Sequence, residues 1–121
     1  MRRIEFDIAM TSGPEKTKGY LHVLTGDGSD KVFVGIHKKG SKWQATELNT
    51  GYKCFPRVCD TRQDLADALD KELVCRPGGR HRDPETYFDA IQGCVDRFKQ
   101  NTPNLLINAD LVYKLQHGER V

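Results

Sequence analysis

The apolar pattern of this chain changes its period at Pro56, and that change limits the folds open to it. Over residues 4–10 (IEFDIAM) an apolar side chain recurs at every second position, which is the period of a half-buried strand. Beyond Pro56, Leu65, Leu69 and Leu73 recur at every fourth position, which is the spacing along one face of a helix. Strands therefore come first and helices second, so the sequence predicts an α+β fold.

Gly- and Pro-containing stretches divide the first half of the chain into short strands. They separate segments with alternating apolar residues, and their lengths suit hairpin connections. Pro56 ends the pairing because proline cannot donate a hydrogen bond to a ladder. The sequence predicts an antiparallel β-meander of four to five strands, with the polar segment 11–19 as a loop. The predicted strands span residues 3–10, 20–25, 31–38, 42–48 and 52–55.

Capping residues predict two helices after the meander. Thr61, followed three residues later by Asp64, resembles a capping box and predicts a helix that starts at residue 62 and ends near 75. Asp83 before Pro84 is the pattern of an N-cap with proline at the first helical position, and it predicts a second helix that ends near residue 100. We expect both helices to pack on one face of the sheet. The apolar stripe of the second helix is predicted to be Tyr87, Phe88, Ile91, Val95 and Phe98.

The C-terminal region is ambiguous in sequence. Asn108 is a suitable N-cap for a short final helix that Gly118 ends, whereas residues 105–107 could instead add a short strand; we prefer the helix. With 121 residues, the chain is expected to form a single α+β domain, residues 1–121, around one core. The predicted core residues are Ile4, Phe6, Ile8, Val32, Val34, Ile36, Leu65, Leu69, Leu73, Phe88, Ile91 and Val95.

The charge and hydropathy of the chain restrict its partners. Hydrophobic residues make up 37% and charged residues 30%, as in folded soluble proteins, and no apolar run approaches the roughly 20 residues of a membrane span. We expect a cytoplasmic protein with no membrane partner. Because the net charge is only +2, any nucleic-acid binding must come from a local basic patch.

Such a patch is predicted in the segment KKGSKWQATELNTGYKC, residues 38–54, which combines lysines with the single tryptophan of the chain. Lysines can contact phosphate, and aromatic rings can stack on bases. If Trp43 faces outward, the patch is a binding surface; if it faces inward, Trp43 anchors the core and the lysines are a solvated turn. The predicted nucleic-acid-binding residues are Lys38, Lys39, Lys42, Trp43, Tyr52, Lys53 and Arg57, with Arg80 and Arg82 of the interhelix loop as a second cluster.

The segment 42–74, a Trp-bearing hairpin followed by a Thr-capped helix, resembles the small three-strand-plus-helix DNA-binding modules found at the N-termini of tyrosine recombinases. Those modules read the major groove with a face of the sheet. The resemblance therefore implies base or backbone contacts from Lys42, Gln44, Thr46 and Lys53.

A rival hypothesis is a protein-binding inhibitor or adaptor, of the kind that phages and mobile elements encode as small α+β domains. The chain has 19 basic and 17 acidic residues, a balance that suits a protein partner as well as a nucleic acid. An acidic face on the first helix would supply the contact. Its predicted residues are Asp60, Asp64, Asp67 and Asp70.

The cysteines suggest no enzyme and no cofactor. Cys54, Cys59, Cys75 and His81 can be drawn as a zinc site, but their spacing is looser than that of a zinc knuckle, so we expect free thiols and no metal. Cys94 is predicted to be a core residue. Because no motif with a recognised mechanism is present, we expect a binding protein and not an enzyme.

Overall fold

Four antiparallel strands form one sheet, and they are neighbours in the order in which they occur in the chain. The structure is a computed structural model that describes residues 1–26, 28, 30–74 and 84–119. The strands are β1 (Arg2–Met10), β2 (Gly13–Thr25), β3 (Lys31–Lys39) and β4 (Lys42–Glu47). Helices follow the sheet along the chain, so the α+β prediction and the meander are confirmed.

The first hairpin is longer than the sequence suggested. Residues 11–19 were predicted to be a loop, and this was wrong, since β2 begins at Gly13 and pairs with β1 along its first nine residues. Gly13 has φ 115°, the left-handed geometry that a tight turn needs. The first half of β2 lies beyond the register of β3 and is mostly exposed, so its side chains are mainly polar and show no apolar alternation.

The predicted fifth strand is present only as an irregular edge. Residues 52–59 run beside β4 and make two isolated bridges, Thr46 with Lys53 and Trp43 with Cys59. Cys54 also donates its N–H to the Ala45 carbonyl at 3.0 Å. Between these contacts the chain bends at residues 55–57, where Pro56 removes a donor and prevents a continuous ladder.

The first helix, α1 (Arg62–Lys71), begins where its cap predicted. Thr61 Oγ1 accepts the backbone N–H of Asp64 at 3.0 Å. The helix ends four residues earlier than expected, because Leu73 belongs to β5 (Leu73–Val74), which pairs with β6 (Glu85–Thr86). Leu73 is 52% exposed, so its assignment to the core was wrong.

The second helix, α2 (Tyr87–Asn101), begins three residues later than predicted. Its N-cap is Thr86, whose hydroxyl accepts the Asp89 N–H at 3.2 Å, whereas Pro84 precedes a short strand. The expected cap, Asp83, lies outside the described residues. Among the helices that the structure describes, none has both the length and the apolar character needed to cross a bilayer.

The chain after α2 forms a 3₁₀ turn (Pro103–Leu105) and the predicted short helix, α3 (Ala109–Gln116). Residues 105–107 are not in a strand, so the alternative assignment was wrong. Asn108 stands at the N-cap position of α3, yet its side chain makes no capping hydrogen bond. Its amide bonds instead to backbone groups of Asp7 and Leu48.

The predicted single core is divided in two by the sheet. One cluster, the α1–α2 core, lies where α1 and α2 pack against β2, β3 and β4. The other, the α3 core, lies on the opposite face of β3, because Val34 and Ile36 point to the first cluster and Phe33 points to the second. The buried members of the α1–α2 core are Leu24, Val32, Val34, Ile36, Ala45, Phe55, Leu65, Ala66, Leu69, Ile91 and Val95, and those of the α3 core are Ile4, Phe6, Phe33, Leu48 and Val112.

The α3 core is closed by close packing and by one buried amide. The Phe6 ring covers Gly35, where an added Cβ would lie 2.4 Å from a ring carbon. Asn108 accepts the Asp7 N–H at 2.8 Å and donates to the carbonyls of Asp7 at 3.0 Å and Leu48 at 2.8 Å. One side chain therefore joins β1, the end of β4 and the start of α3.

Candidate functional site

Trp43 lies at the turn end of the β3–β4 hairpin, among two cationic side chains and a tyrosine. Its cross-strand partner is Lys38, whose Nζ lies 5.5 Å from the centroid of the indole ring. Arg62, the first residue of α1, holds its guanidinium carbon 5.5 Å from the same ring and 3.8 Å from the ring centroid of Tyr20. Tyr20 meets Trp43 edge-on, with the ring centroids 5.9 Å apart. These four residues are called the hairpin cluster.

Trp43 is neither fully exposed nor a central core residue. Its side chain is half-buried and packs at the edge of the α1–α2 core. Its backbone N–H donates to the Cys59 carbonyl at 2.8 Å, and its carbonyl accepts the Cys59 N–H at 3.0 Å. The indole is thus fixed by backbone pairing, while part of it remains accessible to a partner.

The other two lysines of the hairpin differ in what they contact. Lys39 and Lys42 face each other across the hairpin, and both are exposed. Lys42 forms an ion pair with Asp60, which reduces the repulsion between the two like charges. In the part of the chain that the structure describes, no carboxylate oxygen lies within 4.0 Å of the Lys38 or Lys39 ammonium. These two charges are therefore available to an anionic partner.

Tyr52 and Lys53 lie at the other end of β4. The Tyr52 carbonyl accepts the Glu47 N–H at 2.9 Å, so at the spacing of a strand Tyr52 is roughly 13 Å along β4 from Trp43. Its exposed ring meets Phe98 of α2 edge-on, with the centroids 6.2 Å apart. The structure therefore does not bring Tyr52 next to Trp43 as a second stacking surface.

Arg57 is engaged within the protein. Its guanidinium donates to both carboxylate oxygens of Glu72, at 2.5 and 2.7 Å, and lies over the Phe55 ring. The Glu72 carboxylate raises the pKa of Arg57, which keeps this arginine charged. Arg80 and Arg82, the second predicted basic cluster, lie outside the described residues.

The residues implied by the recombinase-like resemblance are only partly accessible. Gln44 and Thr46 are buried, with 8% and 0% of their surface exposed. Thr46 contacts His37 Nε2 through its hydroxyl at 3.1 Å, inside the α3 face of the sheet. Contacts from Gln44 and Thr46 to a DNA groove are therefore excluded, and this part of the implication was wrong, whereas Lys42 and Lys53 are exposed.

The acidic residues of the rival hypothesis mostly have partners of their own. Asp60 pairs with Lys42, Asp67 accepts a hydrogen bond from Gln63 at 2.9 Å, and Asp70 meets His22 Nε2 at 2.8 Å. Asp64 is exposed in the first turn of α1, where a carboxylate is stabilised by the helix dipole. The face is acidic, but three of its four predicted carboxylates already have partners within the protein.

A groove beside α2 is a second candidate site, which the sequence did not predict. It has a volume of about 440 Å³ and lies between the segment 50–54 and α2. Its surface is mainly apolar and aromatic, with one buried carboxylate. The lining residues are Glu47, Thr50, Tyr52, Lys53, Cys54, Val74, Tyr87, Ala90, Ile91, Cys94, Val95 and Phe98.

Glu47 is the carboxylate of this groove. It is 2% exposed, and its two oxygens accept the N–H groups of Asn49 at 2.7 Å and Thr50 at 2.8 Å. Burial raises the pKa of Glu47, and the two N–H donors offset part of that rise. Burial, together with the nearby Glu47 charge, also raises the pKa of the Cys54 thiol, so this cysteine is a thiol and not a nucleophilic thiolate.

The described cysteines occupy two different settings. Cys54 and Cys59 are half-buried on the edge segment, whereas Cys94 is exposed on α2 and not in the core as predicted. Arg97 donates to the Cys94 sulfur at 3.3 Å. Cys75 and His81 lie outside the described residues, so the expected absence of zinc stays a prediction. The described residues contain no group of three metal-ligating side chains.

Sequence reasoning missed Tyr20 and Arg62 because both reach Trp43 through tertiary structure. A hairpin register can pair Trp43 with Lys38, but only the packing of α1 on the sheet brings Arg62 to them.

Comparisons with family models, with curated proteins and with solved structures find no match to this chain.

Proposed function

We propose that the protein binds nucleic acid through the turn end of the β3–β4 hairpin. The observation that supports this most is the hairpin cluster, in which Lys38 and Arg62 each hold a positive charge 5.5 Å from the Trp43 ring centroid. Cations beside an aromatic ring can bind phosphate while the ring contacts a base or sugar. Lys39 adds a further exposed charge at the same turn.

Arg62 is suited to phosphate recognition because its guanidinium is held in position before a ligand arrives. It lies 3.8 Å from the Tyr20 ring centroid, and its backbone is fixed in the first turn of α1. A planar guanidinium can donate two parallel hydrogen bonds to one phosphate. Such preorganisation lowers the entropy that is lost on binding.

The expected binding is tolerant of sequence. Half-buried Trp43 leaves only part of its ring for a base, and the polar residues Gln44 and Thr46 are buried. Few side chains are therefore free to read base edges, which is how proteins distinguish sequences. Phosphate contacts supply affinity without that discrimination.

The acidic helix face is the weaker candidate for the main function. Asp60, Asp67 and Asp70 already have partners, so a protein ligand would have to compete with those contacts. A protein partner becomes the preferred hypothesis only if oligonucleotides do not bind.

The test compares two double variants that lose the same net charge. Lys38→Ala with Lys39→Ala removes one charge of the hairpin cluster and one beside it, and Lys99→Ala with Lys114→Ala removes two exposed charges from α2 and α3. Fluorescence anisotropy with a labelled single-stranded oligonucleotide at low salt measures the affinity. We expect the first pair to weaken binding on the order of tenfold and the second pair to have little effect.

Equal losses in the two double variants would mean that only net charge matters and would contradict a local site. Absence of binding by the unmodified protein at low salt would overturn the proposal. Because all four lysines are exposed, both variants are expected to unfold at the same temperature as the unmodified protein.

A further inference from the structure

The groove beside α2 has the size and lining of a small-molecule site. Its volume of about 440 Å³ lies within the range of ligand pockets, which are mostly apolar with a few polar groups. It is distinct from the hairpin cluster, since no residue of that cluster lines it. Its chemistry also differs, because its one buried charge is negative.

Glu47 supplies that charge without a cationic counterpart. Its carboxylate oxygens accept one backbone N–H each, and within the described residues no lysine, arginine or histidine nitrogen lies within 4.0 Å of it. Lys53 also lines the groove, but it is exposed and makes no ion pair with Glu47. Each carboxylate oxygen can still accept a further hydrogen bond. A buried carboxylate of this kind is stabilised by a cation that reaches it.

Aromatic rings line the same groove as this carboxylate. Tyr52, Tyr87 and Phe98 lie along its walls, and Tyr52 is 58% exposed at its opening. The negative face of an aromatic ring attracts organic cations, and several rings around one site strengthen that attraction. Ile91 and Val95 add aliphatic surface for an apolar body.

We propose that this groove binds a small organic cation, a protonated amine with an apolar body. The ammonium approaches the Glu47 carboxylate, and the apolar part lies among Tyr87, Ile91 and Phe98. A neutral molecule of the same shape lacks the attraction to the Glu47 carboxylate, and an anion is repelled by it. The site is independent of the nucleic-acid proposal, because the two involve different residues.

The first test uses three probes of matched shape on the unmodified protein. These are 2-phenylethylamine, which is a cation at neutral pH, 2-phenylethanol, which is neutral, and 3-phenylpropionate, which is an anion. Isothermal titration calorimetry should give the tightest binding for the amine, by on the order of tenfold over the alcohol, and the weakest for the carboxylate. Equal affinities for the three probes, or no heat of binding for the amine at millimolar concentration, would overturn the proposal.

The second test locates the binding with a groove-filling variant. Cys94 is exposed on α2 and lines the groove, so Cys94→Trp should occupy the groove and abolish amine binding. Gln100→Trp places the same side chain on the same helix outside the groove and should leave the affinity unchanged. Amine binding that survives Cys94→Trp in a folded protein would contradict the assignment. If that variant fails to fold, the probe series on the unmodified protein still decides the proposal.

Discussion

The two faces of the sheet are stabilised in different ways. The α1–α2 face is apolar over a large area, and both candidate ligand sites lie at its margins. The α3 face has a smaller apolar core and several buried polar side chains, among them His37, Thr46 and Asn108. The first face depends mainly on hydrophobic burial, and the second depends also on specific hydrogen bonds.

This difference bears on where the two candidate sites lie. Loops and side chains meet at the edges of the area where α1 and α2 pack on the sheet. The hairpin cluster and the groove lie at these edges. On the α3 face, β1 curls over the sheet until the Ala9 N–H donates to the Gly51 carbonyl at 2.9 Å. On that face His37 bonds to Thr46 and Asn108 bonds to backbone groups, so these polar side chains serve the fold. The buried Oε1 of Gln44 finds no hydrogen-bond partner among the described residues.

The largest expected effect is from the α1–α2 core. Leu69→Ala should lower the free energy of unfolding by about 2–5 kcal/mol, because it removes a side chain that is 1% exposed and leaves a cavity. Leu105→Ala is the matched control, since that leucine is 65% exposed and should have an effect near zero. Urea unfolding measures both values. Equal small losses would contradict the packing of α1 on the sheet.

A slightly smaller effect is expected from the polar closure of the α3 face. Asn108→Ala should cost on the order of 3 kcal/mol, because it leaves the Asp7 N–H and the carbonyls of Asp7 and Leu48 without their partner. Asn104→Ala, at an exposed position of the 3₁₀ turn, is the control. If both asparagines can be replaced without loss, hydrogen bonding does not hold this face and the contrast between the faces disappears.

The smallest stability effect is a dependence on pH that originates on the α3 face. Burial, and to a lesser degree the Lys39 charge, lowers the pKa of His37, and a backbone hydrogen bond at Lys38 partly offsets this. Since the unfolded chain then binds the proton more readily than the folded one, stability should fall as pH decreases below the ordinary histidine value of 6.5. The slope should not exceed about 1.4 kcal/mol per pH unit for one proton.

Urea unfolding between pH 8 and pH 5 measures this slope, and His37→Gln serves as the comparison. The variant keeps a polar side chain but cannot titrate, so its stability should change less over the same range. The other three histidines, His22, His81 and His117, are present in both proteins, and their contributions cancel in the difference. Identical pH profiles would show that His37 is not held neutral by the fold.

Local sequence signals predicted most helices and strands, whereas features that depend on long-range contacts could not be predicted. Thr61 caps α1 as expected because an N-cap acts over three residues of sequence. Asn108 was expected to cap α3, but its bonds reach 60 and 101 residues back along the chain, where no local pattern indicates them. The division of one predicted core into two also depends on how the sheet curls.

In the candidate site, too, contacts between residues close in sequence were predicted and long-range contacts were not. Lys38 and Trp43 were grouped correctly because they face each other across one hairpin. Tyr52 was grouped with them because it is close in sequence, yet β4 separates it from Trp43. Arg62 was missed because a helix that follows 15 residues after β4 brings it to the cluster. Sequence proximity therefore located the hairpin but not the full set of side chains around it.

The most direct test of the central claim is the salt dependence of oligonucleotide binding by the unmodified protein. The cations at the turn end are Lys38, Lys39, Lys42 and Arg62, and each phosphate contact on a single strand contributes a slope of about −0.7. A plot of the logarithm of the association constant against the logarithm of salt concentration should therefore have a slope of about −2 to −3. A slope near zero, or no measurable binding at low salt, would contradict the proposed nucleic-acid function and leave a protein partner as the hypothesis to pursue.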